Sequence, residues 1–175
     1  MDLTKLLGYR IFSLMVVVIV MTYHISAMAS YAPMTLYDHI KVHCKSKCVD
    51  SEHLIQAVHD ASERVDVDHK VLLAIIQVES AFKPKAKNGS SVGLKQVHLR
   101  YHRNRFTDKK YFDVNQNVLA GAQIYKECLN RAKGVKSKAL RCYNGHHLGD
   151  PKYVTKVTRA YRQIIKLVDI DKQTQ

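Results

Sequence analysis

The sequence predicts one small, mainly α-helical domain. Apolar residues recur at helical spacing in several segments with recognisable start and stop signals, and strand-like alternation is scarce. Apolar residues make up 46% of the 175-residue chain. A chain of that length and composition can bury a core without a metal or a dense disulfide net. No internal repeat or low-complexity tract interrupts it.

The chain opens with the form of an export signal. Lys5 and Arg10 precede an apolar run from Ile11 to Met21 broken only by Ser13, and Ala27-Met28-Ala29 has the small-x-small pattern of a cleavage site. Eleven helical residues rise about 16 Å, well short of the roughly 30 Å hydrocarbon core. A cleaved signal over residues 1–29 is therefore expected, and with it export to the periplasm or cell envelope. The alternative is an uncleaved anchor within Leu3–Ile25, with residues 6–25 in the bilayer and Arg10 snorkelling.

Residues 30–50 read as a lead-in, where Pro33, Cys44 and Cys48 break any period. Ser51 can cap a helix to about Arg64, with Glu52 in its first turn and Leu54, Ile55, Val58 and Val65 on its apolar side. Asp66 or Asp68 can cap the next helix, Val71 to Phe82, which Pro84 ends. Residues 83–92 form a polar loop, Gly93 to Val97 one helical turn, and residues 98–112 an irregular basic and aromatic stretch. Asp113 caps a helix from Val114 to Ala132, whose Ala120-Gly121-Ala122 permits close helix–helix approach. A short helix follows from Ser137, and Asp150-Pro151 starts an amphipathic helix to about Val168. The domain is thus expected over 51–168, with a polar tail at 169–175.

Four cysteines, Cys44, Cys48, Cys128 and Cys142, in an exported chain suggest two disulfides among three pairings. Cys128 and Cys142 lie on consecutive helices, so their bridge is plausible. A Cys44–Cys48 bridge needs a non-helical segment between them. A zinc site on Cys44, Cys48 and His39 or His43 is disfavoured, because the second cysteine pair is spaced too widely. No metal or cofactor is expected. His98, His102, His146 and His147 read as surface side chains.

The formal net charge is +13. It bears on partners more than on fold: nucleic acid, anionic lipid or an anionic wall polymer. The basic residues are spread along the chain without a dense run, which fits loose attraction to a polyanionic surface and no specific nucleic acid.

The helix from Val71 to Val78 is apolar nearly all round, so it belongs in the interior. Glu79 shares the face of Leu72, Ile75 and Ile76. A carboxyl at the end of a buried helix loses solvation, which raises its pKa and suits it to donate a proton. The plain alternative is a glutamate at a helix end facing water.

Three elements then occur in order: Glu79-Ser80-x-Phe82-x-Pro84, then Gly93-Leu94-Lys95-Gln96, then Cys142-Tyr143-Asn144-Gly145. Together they resemble the soluble lytic transglycosylase family over roughly residues 51–165. The resemblance implies a lysozyme-like fold of the goose type, acting on peptidoglycan glycan strands. It implies cleavage of the β-1,4 bond between N-acetylmuramic acid and N-acetylglucosamine without water, leaving a 1,6-anhydro product. By position Glu79 is the single acid/base, and Ser91, Gln96, Tyr143 and Asn144 are substrate contacts. Without it, Gln96 and Asn144 read as turn residues and Tyr143 as a core aromatic. The chain is also similar to wall-cutting subunits of conjugation and type IV secretion machines, which implies a secretion, conjugation or phage assembly as context. A monomer is expected.

Two rival functions remain open. A goose-type lysozyme would hydrolyse with water, with Asp108 or Asp113 as second carboxylate. A non-catalytic peptidoglycan-binding module would keep the fold alone. Lys95 stands where the family usually has Met, and a cation close to Glu79 would lower its pKa and oppose the acid role, unless its side chain turns to solvent.

Overall fold

A computed structural model describes residues 34–145 and 150–173. The expectations for the export segment at 1–29 and for His146 and His147 lie outside these residues. One compact unit runs from Thr35, and it is mainly helical, as expected, with one small sheet besides.

The first helix, α1 (Leu36–Cys44), falls inside the stretch read as a lead-in. Thr35 and Asp38 form a reciprocal capping box: the Thr35 side chain accepts from the Asp38 N–H, and the Asp38 carboxylate accepts from the Thr35 N–H. Leu36 and Ile40 are buried on the core side. His39 is buried with them and meets the Gln77 side chain at 2.9 Å. Cys44 closes α1, and Lys45 and Lys47 leave it with positive φ. That turn lets Cys48 return to Cys44 as a disulfide, with Cα atoms 5.5 Å apart.

The second helix, α2 (Ser51–Val65), is capped not by Ser51 but by Asp50, whose carboxylate accepts from the His53 N–H at 2.8 Å. Its buried side is Leu54, Ala57, Val58 and Ala61, while Ile55 and Val65 lie at the edge. The third, α3 (His69–Ser80), begins at Asp68 and buries every residue from Val71 to Ile76. It ends two residues before the expected Phe82. Ala81 and Phe82 take left-handed backbone, which turns the Phe82 ring fully into the core.

Residues 87–98 fold into a three-stranded antiparallel sheet, β1 (Lys87–Asn88), β2 (Ser91–Val92) and β3 (Val97–His98). The sequence suggested a loop and a helical turn here. Strands of two residues carry no readable alternation, and the turn between β2 and β3 is held from elsewhere in the chain. The Asn117 amide donates to Val92 O and Tyr111 O, and its oxygen accepts from the Lys95 N–H at 2.9 Å. Gly93 has φ of 76°, and an added Cβ there would strike that amide.

A short helix, α4 (Leu99–His102), and a 3-10 turn (Arg103–Arg105) follow within the segment read as irregular. Arg105 pins it to the next helix through Glu127, at 2.7 and 2.9 Å. That helix, α5 (Val114–Arg131), is capped by Asp113 as expected. The Cys128–Cys142 disulfide joins it to α6 (Lys136–Tyr143), with Cα atoms 5.6 Å apart. Both cysteine pairs are therefore bridged, which leaves no thiolate for zinc. The last helix, α7 (Pro151–Gln173), takes in most of the expected polar tail. It lies along α3, facing it with Tyr153, Val157, Ala160 and Ile164, all buried. No described helix is long and apolar enough to cross a membrane.

Candidate active site

Glu79 is the penultimate residue of α3 and is partly buried. Its neighbour Ser80 turns inward, and its hydroxyl donates to Ile76 O at 3.0 Å. Glu79 thus stands at the negative end of a buried helix, where both desolvation and the helix dipole disfavour a carboxylate. Burial raises its pKa above the usual carboxylate range, against two weaker influences that lower it: a hydrogen bond from Tyr153 and the charge of Lys95.

The Tyr153 hydroxyl, from the first turn of α7, donates to Glu79 Oε1 at 2.7 Å. Burial is also the first cause that raises the Tyr153 pKa, so this hydroxyl stays a donor. Nothing in the sequence marked it. It is one of ten tyrosines, spaced on α7 like an ordinary core aromatic.

Lys95 comes from the β2–β3 turn and does not turn to solvent. Its side chain is 0% exposed, and its Nζ lies 5.2 Å from the centroid of the Tyr143 ring. Burial lowers its pKa to about 7, with Glu79 acting in the opposite direction. Gly121 supplies the space. The small residues around it suggest close helix–helix approach, and in the structure Gly121 faces the Lys95 side chain.

Tyr143 closes the cluster from α6, where its hydroxyl donates to Lys95 O at 2.8 Å. Its own pKa is raised well above that of a free tyrosine, by burial first and by Glu79 second. Gln96 follows Lys95 with φ of 46°, and its amide donates to Ala86 O and Gly93 O, at 3.1 and 2.9 Å. In this structure that amide secures the turn carrying Lys95. Asn144 is exposed, and its oxygen accepts from the Asp150 N–H at 3.3 Å, tying the end of α6 to the start of α7. Ser91 sits on β2 opposite His98. Among the described contacts, neither Ser91 nor Asn144 is joined to Glu79.

Glu79, Lys95, Tyr143 and Tyr153 therefore converge from α3, the β2–β3 turn, α6 and α7. A carboxyl whose pKa is raised by burial, with a tyrosine hydroxyl donating to it, is of the kind that can deliver a proton to a bond and take one back.

Residues 56–164 match the family model of the transglycosylase SLT domain. The chain belongs to this family. The match spans α2 to α7 and so covers the whole Glu79 cluster. At the level of the family the chain is a peptidoglycan lytic transglycosylase, and its two disulfides fit an exported protein.

The fold of this SLT domain also gathers charge that looked dispersed along the chain. Lys138 and Arg141 on α6 meet Arg159, Arg162 and Lys166 on α7 across an open groove of about 740 Å³, whose lining contains no acidic residue. Val154 and Thr158 form part of its floor. Among the described residues no group of three or more histidine, cysteine or acidic side chains is placed to hold a metal.

Proposed function

We propose that this SLT domain cuts the β-1,4 bond between N-acetylmuramic acid and N-acetylglucosamine without water, with Glu79 as its only acid/base. The observation that carries the reading is the Glu79 carboxyl at the buried end of α3, raised by desolvation and gripped on one oxygen by Tyr153.

The chemistry follows from that arrangement. Glu79 gives its proton to the glycosidic oxygen as the bond to the muramoyl anomeric carbon breaks. The ring carries the positive charge, and Glu79 becomes a carboxylate that the Tyr153 hydroxyl steadies. The muramoyl 6-hydroxyl then attacks the anomeric carbon while Glu79 accepts its proton. One bond has broken and one has formed. The proton is back on Glu79, and the product carries a 1,6-anhydro ring. A second carboxylate is unnecessary because the substrate supplies the nucleophile. Tyr143, Gln96, Asn144 and Ser91 are proposed to line the path of the glycan.

Two features favour this reading over a hydrolase. Asp113 serves as the cap of α5, accepting from the Gln116 N–H at 2.9 Å. Asp108 is exposed, with its carboxylate 4.0 Å from Lys110 Nζ. In the cell the proposed setting is the envelope, with the chain exported as a monomer and working on strands near a secretion, conjugation or phage assembly.

Mass spectrometry of muropeptides released from sacculi by the full chain tests the reaction. Anhydro ends, one water lighter than reducing ends, are expected, and Glu79→Gln should release none. Reducing ends from the native chain would make it a hydrolase. Sacculus binding without release would make it a binding module.

A further inference from the structure

The groove between α6 and α7 carries charge that the catalytic cluster does not use. Arg159, Arg162 and Lys166 follow one another along α7 at spacings of three and four residues, and Lys138 and Arg141 face them from α6. All five are exposed, and none is ion-paired among the described residues. Like charges at neighbouring helical positions repel each other. The fold therefore bears this cluster at a cost, and the lining supplies no acid to relieve it. The charges also surround a hollow of about 740 Å³, to which Pro151 and Val154 add apolar surface.

Both walls are held from within. The Cys128–Cys142 disulfide fixes α6 beside Arg141. On its inner side α7 is tied to α3 by the Tyr153 bond to Glu79, and to the cap of α3 by the Tyr161 hydroxyl, which donates to Asp68 at 2.6 Å. The groove and the catalytic cluster share these helices. Arg141 and Tyr143 are two residues apart on α6, and Val154 follows Tyr153 on α7. The two tyrosines turn to Lys95 and Glu79, while Arg141 and Val154 turn to the groove.

The chemistry selects an anionic, extended occupant. From Arg159 to Lys166 the helix rises about 10 Å, a distance that roughly three residues of extended peptide span. Guanidinium forks and an ammonium suit carboxylates. A hollow of this size takes a segment of chain, whereas a flat lipid surface would meet its rims alone. Peptidoglycan is the polymer on which the family acts, and its peptide stems carry carboxylates.

We propose that the groove between α6 and α7 binds the carboxylates of peptidoglycan peptide stems, and so makes this chain prefer glycan that still carries its stems. The inference rests on peptidoglycan being the substrate, and its rate measurements alone rest on the proposed reaction at Glu79.

The test uses the full chain and two variants. Arg141→Gln with Arg162→Gln takes one charge from each wall, and Lys45→Gln with Lys47→Gln takes two exposed charges from elsewhere. Each protein is offered purified glycan strands with their stems, and the same strands stripped of stems by an amidase, immobilised on beads at low ionic strength. The native chain and the Lys45/Lys47 variant should bind stem-bearing strands roughly three- to tenfold more tightly than stripped ones, as two exposed ion pairs allow. The groove variant should bind both alike. Its KM for stem-bearing strands should rise by the same factor with kcat unchanged, the mark of binding lost equally from ground and transition states.

Equal binding of both strands by the native chain would overturn the proposal. So would the same loss in both variants, which would reduce the groove to net charge. Phosphatidylglycerol vesicles that bind the native chain and not the groove variant, with the stem preference intact in that variant, would overturn it in favour of a lipid surface. A native chain that binds strands and cuts none would refute the Glu79 reading, and the binding comparison would still decide the groove.

Discussion

Gly121 and Lys95 are fitted to each other across the interior. The α5 backbone at Gly121 lies so close to the lysine stem that a methyl group there would overlap its Cβ, Cγ and Cε. Gly121→Ala must therefore displace the β2–β3 turn or eject Lys95. Overpacking of this kind costs about 1–3 kcal/mol, and chemical denaturation should show a loss of that size. The double variant Gly121→Ala with Lys95→Ala should recover part of it, because the overlapping Cγ and Cε are gone.

Lys95 also makes stability depend on pH, with a definite sign. Its folded pKa, about 7, lies below the usual value of about 10.4. Between those values the unfolded chain binds the proton better, so native stability should rise as pH climbs from 7 towards 10. The penalty for burying the ammonium is complete below 7. Lys95→Met should accordingly be more stable than the native chain at pH 6, by up to several kcal/mol on the order of a buried charge. The gap should narrow towards pH 10. Thermal melts across this range measure it, and a constant gap would mean that the lysine is not neutralised by folding.

Tyr153→Phe removes the hydroxyl that, among the described residues, donates to Glu79. That bond favours the carboxylate, so its loss should raise the Glu79 pKa further and move the alkaline limb of cleavage to higher pH. It also leaves the carboxylate formed on proton transfer without its donor. Hydrogen bonds to charged groups contribute about 1.5–3 kcal/mol, so kcat should fall roughly 10- to 100-fold. A fall in kcat with an unmoved alkaline limb would show that Tyr153 serves packing alone.

The groove between α6 and α7 concentrates five cations. Peptide stems of peptidoglycan carry carboxylates, and attraction between exposed charges weakens with salt. Arg159→Glu with Arg162→Glu should weaken sacculus binding several-fold at low salt and little at high salt, while the unfolding free energy stays within about 0.5 kcal/mol of native. Co-sedimentation at two ionic strengths reads the difference. Equal binding by both proteins at low salt would remove the groove from glycan capture.

Much of the fold was legible locally. The apolar run of α3, the caps Asp68 and Asp113, and the amphipathic pattern of α7 are short-range signals, and each formed the helix it announced. The Thr35–Asp38 capping box is equally local, and it starts a helix inside the stretch where Pro33 and two cysteines suggest a break. The sheet was not legible, since Asn117, distant in sequence, supplies the hydrogen bonds that hold its turn.

For the site, the motif resemblance points to Glu79 and Tyr143 and marks Lys95 as a departure, and the structure brings Lys95 beside the Tyr143 ring. Its direction was another matter: a side chain on a turn can point outward or inward with the same local sequence. Packing settled it, because Gly121 on α5 leaves a channel and Tyr143 on α6 closes its end. Tyr153 likewise became a partner of Glu79 only when α7 lay down on α3. Helices and their caps depend on neighbours within a turn or two, whereas the charge state of a buried pair depends on which distant elements exclude water from it.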